Sequence, residues 1–192
     1  MFRSLKEDTL AVNPLFTTAE AKDFLKVDTT ADDTLIDNLI KAATQSCQIF
    51  TNRYFLTTTV TQYSDNWFEF YRLYKSPVEE IIHVKYYDTN DTLQTLASSN
   101  YILDNISQPA RIGISVDGTL PNLADRINAV EVKYSVGYGV TADLVPEGIK
   151  QAVLITIGNW YENRQTVITG RTATELPLSS QYLLEQYKIQ VC

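Results

Sequence analysis

The hydrophobic period of this chain changes twice, and those two changes fix the class of fold it can adopt. From about residue 17 to 52 apolar side chains recur every three or four positions, from about 55 to 138 they alternate, and from about 146 the helical spacing returns. A period of 3.6 lines one face of a helix and a period of 2 lines one face of a strand. The prediction is therefore α+β, a helical framework of about four helices with an inserted β-rich segment. The domains read as an N-terminal arm and helix pair over 1–54 and an inserted β-rich domain over 55–138. A long helix, loop and C-terminal helix with tail over 139–192 then complete the helical domain.

Local chemistry sets the boundaries. Residues 1–16, with Asn13-Pro14, read as extended. Thr17 and Glu20 make a capping box for a short helix ending near Val27, with Ala21, Phe24 and Leu25 on its apolar face. Thr30 and Asp33 repeat that pattern ahead of a longer helix running to about Asn52. Its stripe is Leu35, Ile36, Leu39, Ile40, Ala43, Cys47 and Phe50. In the middle, 57–63, 78–87, 92–96, 101–103, 111–114 and 130–134 read as strands, with a turn at 88–91 and a β-like stretch at Phe68, Phe70 and Tyr71. Pro146 suits the first helical position, and Ile149, Val153, Ile157, Trp160 and Arg164 share a face of the helix that follows. Ala152, Leu154, Ile155 and Tyr161 make its other faces apolar too, as in a helix central to a core or between subunits. Gly158 costs this helix roughly 1 kcal/mol against Ala, which points to close approach by a neighbouring backbone. Residues 166–176 read as a loop, and Pro177 opens a last helix that groups Leu183, Leu184 and Tyr187. The final five residues alternate like a strand that adds to something else.

Composition narrows the function classes. At 192 residues the chain can bury one sizeable core, or one core with a small module. It holds no run of eighteen apolar residues for a membrane span, and its opening residues lack the apolar run of a secretory signal, so use in a cytoplasm is expected. A net charge of −7 argues against clamping nucleic acid and suits a soluble subunit or a surface that repels DNA. Cys47 reads as core and Cys192 is the last residue. Neither has metal-ligand spacing, and a disulfide between them is disfavoured in a reducing compartment.

Catalytic chemistry finds little support. The single histidine, His83, lies in a predicted strand with its side chain opposed to Ile82 and Val84, and no triad partner stands near it. Asp32-Asp33 suits a helix cap better than a metal, since helix neighbours diverge by about 100° and no third ligand is spaced to join them. Gly137-Tyr138-Gly139 lacks the rest of a phosphate loop and reads as a turn. The aromatic group Trp67, Phe68, Phe70, Tyr71 and Tyr74 suits a β core or subunit contact, with a stacking platform for nucleic acid or sugar as the alternative.

Two blocks then stand out together. One runs Phe24-Leu25-Lys26-Val27-Asp28, Asp32-Asp33-Thr34-Leu35-Ile36, Leu39-Ile40-Lys41-Ala42-Ala43 and Thr51-Asn52-Arg53-Tyr54-Phe55. The other runs from Val132 to Gly139, then from Val145-Pro146 through Ile149-Lys150 to Ala152-Val153, then from Gly158 to Trp160-Tyr161-Glu162-Asn163-Arg164. The chain resembles the head–tail connector (adaptor, or head-completion) proteins of long-tailed phages over roughly residues 17–55 and 130–188. Lys188 stands where that family commonly has arginine.

The resemblance implies a structural ring subunit, not an enzyme, in the virion neck after assembly in the host cytoplasm. It implies no cofactor, no metal and no membrane. The implied partners are further copies in a ring, commonly of twelve, the portal protein, and the next neck or tail protein (stopper or tail terminator). Genomic DNA would pass through the lumen without sequence-specific binding. Expected subunit or portal contacts are Trp160, Tyr161, Glu162, Arg164, Tyr187, Lys188, Ile189 and Val191. Trp, Tyr and Arg are favoured interface anchors. Glu162 and Arg164, two apart on a helix, cannot pair with each other. The alternatives are an intrachain core role for Trp160 and Tyr161, a frayed tail, another neck ring component, and a carbohydrate- or nucleic-acid-binding module on the β insert.

Overall fold

A computed structural model describes residues 4–163 and 176–189. In chain order the strands are β1 Ser4–Thr9, β2 Thr58–Ser64, β3 Val78–Tyr87, β4 Leu93–Leu96, β5 Tyr101–Asp104, β6 Arg111–Ile114 and β7 Val130–Val136. The helices are α1 Thr18–Leu25, α2 Asp33–Thr51, the single turn α3 Trp67–Phe70, α4 Glu147–Glu162 and α5 Leu178–Glu185. Among the described residues, four substantial helices, a five-stranded antiparallel sheet and a two-stranded one make the α+β fold that the periodicity predicts. The chain divides into two compact units, one from the described parts of Met1–Ala11 and Thr57–Tyr138, the other from those of Val12–Leu56 and Gly139–Cys192.

The sheet unit is ordered β1-β2-β7-β3-β4. Alternation on β7 sends Val130, Val132, Tyr134 and Val136 into the core, where Val60 and Val84 meet them from the neighbouring strands. The opposite face carries Thr61, His83, Lys85, Glu131 and Lys133. The N-terminal segment, expected as extended, contains the edge strand β1, paired with β2. The register of β3 against β7 shifts between Ile81 and His83. This bulge breaks the expected alternation, so Val84 is buried while Ile82 is 46% exposed. Residues 67–70 also depart from the β expectation. Asn66 Oδ1 accepts the Phe68 N–H at 3.0 Å, and the chain makes one helical turn there.

In the helical unit α4 packs against α1, α2 and α5. The Thr17–Glu20 capping box of α1 is present in both directions. The second expected box is not. Asp32 occupies the N-cap of α2 without a side-chain capping bond, and Asp33 pairs with Lys22. The buried stripe of α2 is Ile36, Ile40, Ala43, Cys47 and Thr51, and Leu35, Leu39 and Phe50 flank it half-buried. On α4 the buried face is Ile149, Ala152, Val153, Thr156 and Ile157, with Leu154 and Ile155 half-buried. A Cβ at Gly158 would stand 3.2 Å from Phe24 Cε1, so the close neighbour is a side chain and not the expected backbone. Gly139 has φ +146°, and a Cβ there would meet Leu144 Cδ1 at 2.2 Å, so the turn into this unit requires glycine.

Candidate functional site

The expected contact residues fall into two groups. Trp160, Tyr161 and Glu162 lie at the C-terminal end of α4, and Tyr187, Lys188 and Ile189 follow α5. Tyr187 lies over the first turn of α4, where a Cβ on Gly148 would come 3.0 Å from its hydroxyl oxygen. Gly148 and Trp160 are twelve residues apart on one helix, roughly 18 Å at 1.5 Å per residue. The two groups therefore mark opposite ends of the helical unit. Arg164 and Val191 lie outside the described residues.

At the first end the Tyr161 hydroxyl donates to Asp32 Oδ2 at 2.7 Å, and the neighbouring Asp33 takes Lys22 Nζ at 2.7 Å. The adjacent carboxylates thus tie α4 and α1 to the start of α2, a structural use of the pair. Trp160 is half-buried and Glu162 exposed, so part of this end faces solvent.

At the second end Arg53 Nε donates to the Tyr187 carbonyl, and the Ile189 N–H donates to the Thr51 carbonyl at 3.0 Å. Lys188 sits 4.5 Å from the Phe50 ring centroid and 3.8 Å from Glu185. Lys188 is exposed, whereas Ile189 is buried. In the middle of the unit the Ser180 hydroxyl donates to the Ala152 carbonyl at 2.9 Å, and the Thr156 hydroxyl, 2.8 Å from that carbonyl and 3.0 Å from Ser180 Oγ, donates its one proton between them. Cys47 is buried, and burial pushes its thiol up to about 12.

In the sheet unit the candidates are His83 and the aromatic group. His83 Nε2 lies 2.9 Å from Glu131 Oε1 across β3 and β7, a satisfied histidine on the polar face. On the same face Thr61 and Lys133 surround Asp8, and the Thr61 hydroxyl, ahead of Lys133 and Lys6, holds its carboxyl below the usual range. The aromatic residues are mostly spent on packing. Phe70 and Tyr74 are buried, and Trp67 meets Phe70 edge-on with centroids 5.2 Å apart and donates to the Pro121 carbonyl. Phe68 is the exception, 83% exposed. An open cleft between Thr89, Asp91 and Asp125–Ile127 contains Arg126, whose guanidinium lies over Tyr87 and pairs with Asp91 at 2.7 Å. No cluster of three or more metal-ligating side chains occurs among the described residues, and no helix among them is long and apolar enough to cross a membrane.

Exposed apolar residues are the feature that motif reading misses. Leu178 and Tyr182, one turn apart on α5, are 83% and 84% exposed. Their inward counterparts are Ser180 and Leu184. A serine turned inward hides this polarity in the sequence. In the sheet unit Ile106 and Val116 are 91% and 99% exposed, in loops where periodicity carries no signal.

The family model of the head completion protein (HCP) matches residues 14–175. No curated protein matches the chain. Among solved structures, a chain from the neck of an empty gene transfer agent (GTA) particle, computed with C6 symmetry, has a TM-score of 0.78 at 18% identity, over 98% of this chain and 97% of that one. A chain from the virion of the native GTA particle gives 0.79 at 19%, over 98% and 96%. One from the neck of the native particle, computed with C12 symmetry, gives 0.76 at 18%, over 98% and 97%. These likenesses span both units and bear on the fold alone. The family match covers most of the chain, and on that ground the chain belongs to the head completion protein family.

Proposed function

We propose that the protein is a non-enzymatic ring subunit of the neck of a tailed phage or phage-like particle, joining the capsid portal to the tail and lining the DNA passage. The observation that carries this reading is the family match over residues 14–175, supported by chains of the same fold in particle necks computed with C6 and C12 symmetry. The ring has twelve subunits in this reading. Its partners are further copies, the portal protein, the next neck or tail protein (stopper or tail terminator), and genomic DNA that passes without specific contact. It holds no cofactor and no membrane contact. It is built in the host cytoplasm and stays in the virion neck.

The physical features agree with a subunit that must be rigid and self-associating. Helices tied at both ends by polar bonds resist shear within the subunit. A ring interface is heterologous, so each subunit needs two different adhesive patches. The exposed pair Leu178/Tyr182 supplies apolar surface of that kind. The net charge of −7 gives a passage that DNA does not stick to. In the helical domain, Trp160, Tyr161, Glu162 and Arg164 serve the subunit seam, and Tyr187, Lys188, Ile189 and Val191 lead to the portal.

Native mass spectrometry of the chain, alone and with portal, tests this reading. Rings that bind portal support it. A chain that stays monomeric with portal overturns it. Rings that bind a tail protein but never portal would move it to another neck position.

A further inference from the structure

We propose that the end of α2 is a built seat for the C-terminal segment 187–189, and that Arg53 is its positioning residue, fixing the course of that segment. The argument starts at the last turn of α2. A helix ends with carbonyls that no amide within it can reach. Asn52, at φ 57°, turns the chain left-handed, and its own N–H and that of Arg53 return to Gln48 and Ile49 carbonyls. That closure leaves the Thr51 carbonyl for an outside donor, and the Ile189 N–H takes it at 3.0 Å. The same turn carries Arg53 inward, only 6% exposed, where its Nε donates to the Tyr187 carbonyl. Two backbone groups of the segment, two residues apart, are therefore held by one helix end.

Side chains complete the seat. Ile189 is 7% exposed, and Lys188 between the two anchored residues points its ammonium toward the Phe50 ring at 4.5 Å. Tyr187 closes over Gly148, where any larger residue would press on its ring. The motif Thr51-Asn52-Arg53 thus has a use that neither a helix cap nor core packing accounts for. Holding the segment before a partner arrives removes ordering entropy from the later encounter. That consequence rests on the reading of the C-terminal residues as portal contacts. The seat itself does not.

The test has two arms on the full chain. In the first, amide hydrogen exchange is measured on the wild type, Arg53→Lys and Ile189→Ser. In the wild type the Ile189 amide exchanges at least about tenfold slower than in a peptide of the same sequence. Arg53→Lys keeps the charge but not the Nε donor, and Ile189→Ser leaves the helices untouched. Each returns residue 189 toward the peptide rate, while amides of α2 and α4 stay protected. A wild-type Ile189 amide at the peptide rate, or protection unchanged in both variants, overturns the seat. In the second arm, portal affinity falls about tenfold in both variants. Unchanged affinity with protection lost overturns the positioning role. A wild type that never binds portal overturns the portal reading instead, and the exchange arm still decides the seat.

Discussion

The helical unit and the sheet unit use their polar groups in opposite ways. In the helical unit several side-chain contacts tie one element to another: Tyr161 to Asp32, Lys22 to Asp33, Ser180 to Thr156, Arg53 to Tyr187. In the sheet unit the charged groups Asp8, His83, Glu131 and Lys133 sit side by side on one face of a sheet whose backbone already holds the strands. A tie between helices needs one residue type at one position. A pair on a sheet face needs only opposite charge, and exposed pairs contribute about 0–1 kcal/mol. The difference explains why motifs concentrate in the helical ends of the chain and the β insert carries little that can be read.

Four experiments would break or sharpen that contrast. Ile157→Ala, at a fully buried site on α4, should cost about 2–5 kcal/mol in urea unfolding, because α1, α2 and α5 all close on this helix. A loss no larger than a surface substitution would deny α4 its central place.

Cys47, in a Cys192→Ser background, should react with a disulfide reagent at pH 8 about a hundredfold slower in the native chain than in urea, since the thiolate is the reactive form and burial raises its pKa to about 12. The sign for stability follows. The unfolded thiol ionises near 9 and the folded one near 12, so the stabilisation is full below 9 and is lost as pH rises between them. A reaction rate equal in both states would show that the α2 stripe opens readily.

Gln62→Leu tests a polar knot in the sheet core. Gln62 donates to the Arg72 carbonyl at 2.9 Å and accepts the Tyr74 N–H at 3.1 Å. The substitution should cost about 1–3 kcal/mol by stranding buried groups, whereas Tyr161→Phe in the helical unit should cost about 1 kcal/mol. If the tyrosine proved the more costly, the ties of the helical unit would matter more than the buried polar bonds of the sheet unit.

The smallest effect belongs to Thr61→Val. It removes the first cause of Asp8's lowered pKa, so the carboxyl should titrate closer to 3.8 by NMR. A lowered carboxylate stabilises above its unfolded value and loses that contribution as pH falls through its folded one. The variant should lose the contribution at a higher pH, with less than about 0.5 kcal/mol difference at neutrality. An unmoved titration would assign the shift to Lys133 and Lys6.

What the residues alone determined is everything set within a few positions along the chain. The Thr17–Glu20 box, the α2 and α4 stripes, the 78–87 strand and its turn, and the α+β class all follow from period and capping, because each depends on neighbours at spacings of two to four. The family pattern was legible at the same ends. What only the tertiary structure decided is how competing hydrogen-bond partners are shared. Thr30 and Asp33 have capping spacing, yet Asp33 goes to Lys22, eleven residues earlier, and Asp32 to Tyr161, 129 residues later. The bulge that exposes Ile82 depends on the register with β7, the edge position of β1 on its pairing with β2, and the partner of Ile189 on a helix end near residue 51. A polar group takes the partner that geometry brings nearest, and for groups far apart in the chain that distance exists only once the fold has formed.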